Sequence, residues 1–463
     1  MKKIKEEKNK KWYVLIIMSL TIAMIFMDSS IIEIALPKIQ KDLNLTTSTL
    51  MWILNSYILV FAIFLTIGGT ISDIFGRVKV FYFGTIVFTL SSLLCGVFAG
   101  NILTLIIFRG LQGFGAAFMK PASSTIVNNS FKLQNRGKAC SIYGLIGVSA
   151  FAIGPIIGSF LTTYFSWRYI FWINIPIGII IIFFTFSLKI NDKIIPKQKI
   201  PFLSFFLFLI AAATLVFAIQ EGNVLKWNSF IILSLIFIGI ISIIFYVLID
   251  KRVKNPLINF EIFKNKNITS SIFLLFIMEF VATGESLFGM LYLQKVLNFS
   301  ITLTGLLVFI SVLFSIVAMP IGGILFDKKQ GGPPIKLGIL LVSISFVIYI
   351  IGIMKISFLF IAIGVIGMEF GMGLTFSPLI LDIINSIKTE KRGIITGFSQ
   401  MVMCLGATFS VAIITCIVEV INNHNLKNLK AVSIGYAYLF TLFLLLISVV
   451  FFFKKHRNHE YFD

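Results

Sequence analysis

The chain has 463 residues, of which 58% are hydrophobic and 13% charged, and Phe alone supplies 50. A water-soluble domain cannot hide that much apolar surface, and repeated apolar runs of about 20 residues mark membrane-spanning helices. The formal net charge of +20 sits mainly in short loops between those runs, so loop anchoring explains it and no nucleic-acid partner is expected.

The runs predict an all-α polytopic membrane protein with fourteen spans. The first six lie near 12–36, 49–71, 79–98, 102–126, 139–163 and 168–188, and an extra pair follows at 200–221 and 228–249. The last six lie near 268–292, 302–325, 334–353, 358–383, 394–418 and 433–453. The expected organisation is a polar cytoplasmic N-terminus 1–11, frayed at its start, and a six-helix bundle 12–188. A linker 189–267 carries the extra pair, and a second bundle 268–453 and a cytoplasmic tail 454–463 complete the chain. With the N-terminus inside, the predicted cytoplasmic segments hold 29 Lys and Arg, the external loops hold 8, and two lie within spans. That asymmetry places both termini in the cytoplasm. Span one ends in "ALPKIQKDL", read as extended, and shows no cleavage site for a signal peptide.

Span one carries Asp28 and Glu33 inside an apolar run. The loop after span two reads "GGTISDIFGR" (68–77), where Asp73 suits a helix start, Gly76 a tight turn and Arg77 the cytoplasmic face. Span four holds Arg109 and "QGFGAAFMKPAS" (112–123), whose small residues permit close helix approach. Lys120 there has two readings, snorkelling to the cytoplasmic face or facing a cavity and offsetting an acid. Span five carries Gly147, Gly154, Pro155, Gly158 and Ser159, a pattern of close packing with a bend. In "WRYIFWINIPIG" (167–178), Trp167, Arg168 and Trp172 read as interfacial anchors, while Asn174 and Pro176 break an apolar helix.

The second half repeats the first. "GGILFDKKQGG" (322–332) echoes 68–77 at an offset of 254, and "EFGMGLTFSP" (369–378) echoes span four at 258. Paired repeats around a central site are built into many secondary transporters. No nucleotide-binding motif is present, so an ion gradient is the expected energy source and no cofactor is expected. The four cysteines read as free core thiols, and His424, His456 and His459 lie in a loop or the tail. No nucleophile–base set or metal cluster suggests an enzyme.

These stretches resemble the major facilitator superfamily. The 68–77 loop is similar to its inner-loop signature, departing at Ile74 where a basic residue is usual. The Arg109 stretch resembles the fourth-helix motif of proton-coupled members, and 144–161 resembles the fifth-helix antiporter motif with Ser159 in place of its last Gly. Together with "MDSSIIEIALPKI", "WRYIFWINIPIG", "KNPLINFEIFKNKN" (254–267) and the span count, the chain looks like a member of the fourteen-helix drug:proton antiporter family. Glu33 stands where that family usually has Asn. The resemblance implies a major facilitator fold with two six-helix bundles and two inserted helices. It also implies export of amphipathic, often cationic, drugs, dyes and antiseptics in exchange for protons, by a monomer in a bacterial cell membrane. A dedicated exporter of one metabolite, antibiotic or lipid is the alternative, and a non-transporting scaffold or sensor is a third reading.

Depth organises the acids. At 1.5 Å per residue, Asp28 lies about 12 Å below the outer end of its span, Arg109 about 10 Å and Glu33 roughly 5 Å. Asp28 and Arg109 are therefore expected to pair, and Glu33 to act separately, as a second proton site or a wet rim residue. Glu279 and Glu285 in span nine and Glu369 in span twelve are candidates for a proton or substrate cavity, or for local helix–helix bonding. Glu221 and Glu419 read as interfacial.

Overall fold

A computed structural model describes residues 2–131, 133–188, 190, 201–253, 265–329, 332–386, 392–422 and 431–455. The three histidines, residues 456–463 of the tail and residues 254–264 of the "KNPLINFEIFKNKN" stretch lie outside the described residues.

Fifteen helices follow one another: α1 (Lys2–Leu43), α2 (Thr47–Phe75), α3 (Arg77–Val97), α4 (Ile102–Ser130), α5 (Leu133–Tyr164), α6 (Tyr169–Trp172) and α7 (Asn174–Ser187), then α8 (Phe202–Glu221) and α9 (Phe230–Asp250). The rest are α10 (Lys266–Lys295), α11 (Ile301–Lys329), α12 (Gly332–Lys355), α13 (Phe358–Asn385), α14 (Arg392–Ile421) and α15 (Ala431–Lys455). Among the described residues, counting α6 and α7 as one, fourteen segments are long and apolar enough to cross a membrane. Backbone polar groups in lipid must be bonded within the segment, which is why such runs become helices. Large apolar side chains such as Phe186 and Phe230 stay on the outside of the bundles, where lipid replaces water.

Several expectations change. The first helix does not end before "ALPKIQKDL" but continues to Leu43 with Pro37 inside it, and its helical residues start at Lys2 rather than in a frayed leader. Pro37 has no amide hydrogen to give the Glu33 carbonyl, one turn back, so the helix is locally loosened there. Span six is interrupted at Ile173 alone, between α6, which stops at Trp172, and α7, which begins at Asn174. Ile173 keeps helical angles (φ −59°, ψ −27°), so the interruption is a local one, with Pro176 in the first turn of α7, where a missing N–H costs least.

Close packing divides the chain into two units, one of residues 1–45 and 52–202 and the other of 46–51 and 203–463. Helices α8 and α9 group with the second. There the Ser48 hydroxyl donates to the Gln220 carbonyl at 3.1 Å, and the Gln220 amide returns a bond to the Ser48 carbonyl at 3.1 Å. The repeat is visible in each unit separately. In the first, a Cβ on Gly84 would stand 2.8 Å from the Gly115 carbonyl oxygen, so α3 and α4 touch backbone to backbone. In the second, a Cβ on Gly338 would stand 2.8 Å from the Gly371 carbonyl oxygen, joining α12 to α13 in the same way. Such small-residue contacts supply packing where water offers no hydrophobic drive.

Candidate functional site

Asp28, in the middle of α1, is 1% exposed. Its carboxylate meets Arg109 of α4, also 1% exposed, with Nη1 to Oδ2 at 2.6 Å. The pairing expected from depth is therefore present. Two amides complete the shell: Gln112 Nε2 donates to Oδ1 at 2.8 Å and Asn174 Nδ2 to the same oxygen at 2.7 Å. Asn174 is the first residue of α7. Both amides also donate to the Ser92 hydroxyl of α3, which itself donates to the Phe171 carbonyl at 2.7 Å.

Arg109 is held from three further directions. Its Nε donates to the Ile53 carbonyl at 3.2 Å, its Nη1 to Gln112 Oε1 at 2.6 Å, and its guanidinium lies 4.3 Å from the Tyr57 ring centroid. A buried charge pair persists only when its remaining hydrogen-bonding capacity is met, and groups from α2, α4 and α7 of the first unit meet it here. Asn174 Oδ1 is the exception, buried with no hydrogen-bond partner. Ser92 and Gln112 escaped sequence reading, although Gln112 lies three residues after Arg109, on the same helical face.

Glu33 lies five residues further along α1 than Asp28, whose carboxylate is bonded to Arg109, Gln112 and Asn174. It is 8% exposed, so it is no wet rim residue. Lys120 does not snorkel. Its ammonium lies 5.2 Å from the Phe26 ring and 5.4 Å from the Phe61 ring, between α1 and α2. Trp167 is no interfacial anchor either, being 1% exposed, with its indole donating to Asp42 at 3.1 Å. Arg168 stacks on it, 4.7 Å from the ring centroid.

At the α2–α3 turn, Gly76 has φ 99°, a conformation that suits glycine. Asp73 caps no helix: α3 has no side-chain cap, and the Asp73 carboxylate instead accepts from Arg77 at 2.8 and 3.1 Å. Gly154 and Gly158 lie on the face of α5 against α1, where a Cβ on Gly158 would come 2.7 Å from the Ile31 carbonyl oxygen, and Pro155 is buried within the same helix.

In the second unit the three candidate acids have neighbours on different helices. A Cβ on Gly406 of α14 would sit 3.4 Å from Glu279 Cβ. Glu369 of α13 accepts from Ser315 of α11. Glu285 neighbours Tyr349 of α12 and Tyr438 of α15. Asp382, absent from the expected acids, is 1% exposed and accepts from Ser271 at 3.0 Å; it stands one residue inside the predicted limit of its span. Glu419 is 3% exposed rather than interfacial, beside Ser48 and Asn223. Of the cysteines, Cys95 is buried but Cys140 is exposed, so the core-thiol expectation fails for Cys140. Among the described residues no group of ligands suits a metal.

A buried charge centre in lipid-spanning helices is costly and serves passage or coupling, so fold and site together define a polytopic membrane transporter. The family profile described as Major Facilitator Superfamily matches residues 18–190 and 251–411. The chain belongs to that superfamily, a family of transporters and not of enzymes. It is 30% identical over 425 residues to multidrug transporter protein MdtP of Bacillus subtilis (strain 168), covering 90% of this chain and 77% of MdtP. It is 26% identical over 402 residues to multidrug resistance protein Stp of Mycobacterium tuberculosis (strain CDC 1551 / Oshkosh), covering 86% of this chain and 74% of Stp. A solved auto-inhibited peptide transporter of the POT family superposes with a TM-score of 0.70 at 13% identity, over 98% of both chains. The fold is thereby the major facilitator fold, and the relatives agree with the drug-exporter family resembled by the motifs.

Proposed function

We propose that this protein exports amphipathic, often cationic, drugs, dyes and antiseptics from a bacterial cell in exchange for protons. The observation that carries the reading is the buried Asp28–Arg109 pair with its two amides. The relatives named as multidrug proteins support the cargo class. Both termini face the cytoplasm in this reading, as the loop charge requires, and the protein works as a monomer.

The chemistry follows from the shell. Ionised Asp28 satisfies Arg109 and draws two N–H donors. A proton arriving on Asp28 removes its charge, weakens a charge-assisted bond to Arg109 and introduces an O–H donor. Asn174 is equipped for that state: rotating its amide would present Oδ1, now unpartnered, as the acceptor. Loading the proton therefore changes what joins α1 to α4 and α7. Asp73, Gly76 and Arg77, with Gly154, Pro155 and Gly158 on α5, are the conformational parts of an alternating-access cycle. Glu33, Glu279 and Glu369 are further proton or cation sites.

The test is reconstitution into proteoliposomes with an imposed pH gradient. Ethidium is expected to move against its own gradient in exchange for protons, and no gradient-driven movement across a broad dye and drug panel overturns the reading. Lys120 favours a second reading. A fixed ammonium beside Phe26 and Phe61 suits one cargo bearing a negative group, and a single-compound profile in the same assay would select it.

A further inference from the structure

Glu285 occupies, in the second unit, the helix corner that Asp28 occupies in the first. Asp28 of α1 accepts from Asn174 of α7, whose amide in turn donates to Ser92 of α3. Glu285 of α10 faces α12 and α15, their counterparts by the repeat, through Tyr349 and Tyr438. Both tyrosines are fully buried, their rings 5.4 Å apart. Tyr438 donates to the Gly284 carbonyl at 3.2 Å, and Tyr349 and Tyr438 share a hydrogen bond. Because Tyr438 has one hydroxyl hydrogen and spends it on Gly284, Tyr349 is the donor between them. The Tyr349 oxygen and Glu285 Oε1 border one notch, 2.7 and 3.4 Å from where a Cβ on Gly289 would sit.

We propose that Glu285 is a proton-carrying carboxyl of the second unit, with Tyr349 and Tyr438 as positioning residues whose hydrogen-bond direction reports its protonation. The proton comes from water and returns to water. While Glu285 is an acid, its O–H donates to the Tyr349 oxygen, Tyr349 donates to Tyr438, and Tyr438 donates to Gly284. When the proton leaves, the carboxylate claims the single Tyr349 hydrogen, and Tyr438 loses its donor. The bond between α10 and α12 reverses its direction, and the bond joining α12 to α15 is lost.

Other described groups stand on the elements packed against α10. From α14, Ser410 and Ile414 approach Gly284, and neither titrates. Asp382 of α13 bonds to Ser271, far along α10, and Glu369 bonds to Ser315 of α11. On α10 itself, Tyr292 donates to the Ile353 carbonyl at 3.1 Å, and Glu279 lies towards α14. The inference deepens the proton-driven reading and rests on it for the use made of the proton.

The experiment is pH-difference infrared spectroscopy of the full chain in lipid, alongside the pH profile of ethidium transport. A protonated-carboxyl band is expected to vanish in Glu285→Gln. In Tyr349→Phe the ionised form loses a donor worth more to a charge than to a neutral acid, so the midpoint of the band should rise by about one pH unit, a tenfold tighter proton. The transport profile should move with it. An unchanged band in Glu285→Gln, or an unmoved midpoint in Tyr349→Phe, overturns the proposal. Tyr349→Phe keeps the ring and carries the test alone if Glu285→Gln fails to fold. If the wild type moves no dye while the band behaves as expected, the exporter reading falls and the Glu285 site stands.

Discussion

Asp28 concentrates the energetics of the first unit in one oxygen pair. Removing one member of a buried ion pair leaves the other charge uncompensated, at a cost of about 3–5 kcal/mol. Asp28→Asn keeps the shape and removes the charge, so it should lower the thermal midpoint and abolish gradient-driven dye movement while passive dye binding persists. Coupled transport in that variant would place the proton elsewhere. At this scale charge was legible in the sequence and hydrogen bonding was not. Asp28 and Arg109 stand out in apolar runs, and their depths match. Ser92, Tyr349 and Tyr438 carry no formal charge and read as ordinary residues of a span. Trp167 and Arg168 misled because an aromatic–basic pair at a span boundary looks the same whether it faces headgroups or packs inward.

Helices α1 and α5 owe their contact to glycine. At Gly158 even a methyl group meets the Ile31 carbonyl, whereas nothing lies within 4 Å of a Cβ on Gly144 of the same helix. Gly158→Ala should therefore destabilise by about 1–3 kcal/mol, the usual cost of overpacking, and slow transport. Gly144→Ala should leave both unchanged, and paired thermal melts and dye assays decide it. Equal effects at the two positions would show that helix propensity, not the α1 contact, governs α5. The sequence located the helices well because apolar length alone defines a span. It missed the continuation of α1 to Leu43, since Pro37 reads as a stop; a proline costs a helix one bond and a bend, and long apolar flanks outweigh that.

For the whole chain, orientation rests on basic loops. Cys140 is exposed near the start of α5, close to a segment the charge rule assigns to the cytoplasm. A membrane-impermeant maleimide should label it in inside-out vesicles and spare it in intact cells; labelling in intact cells would invert the assignment. The repeat was readable at this scale because glycine pairs recur at the same helix contacts in both units. The inserted helices were readable as spans but not in their attachment, which runs through Ser48 and Gln220 and has no motif.

The bond from Trp167 to Asp42 also gives the molecule a built-in light source. Trp167 is 1% exposed, while Trp12 and Trp227 are 41% and 42% exposed, so its emission is expected towards the blue edge of the spectrum, shielded from aqueous quenchers. Any rearrangement that parts the end of α1 from the segment before α6 would free that indole and shift its colour. With the other four tryptophans replaced, the turnover of this bundle can thus be followed optically without an attached dye.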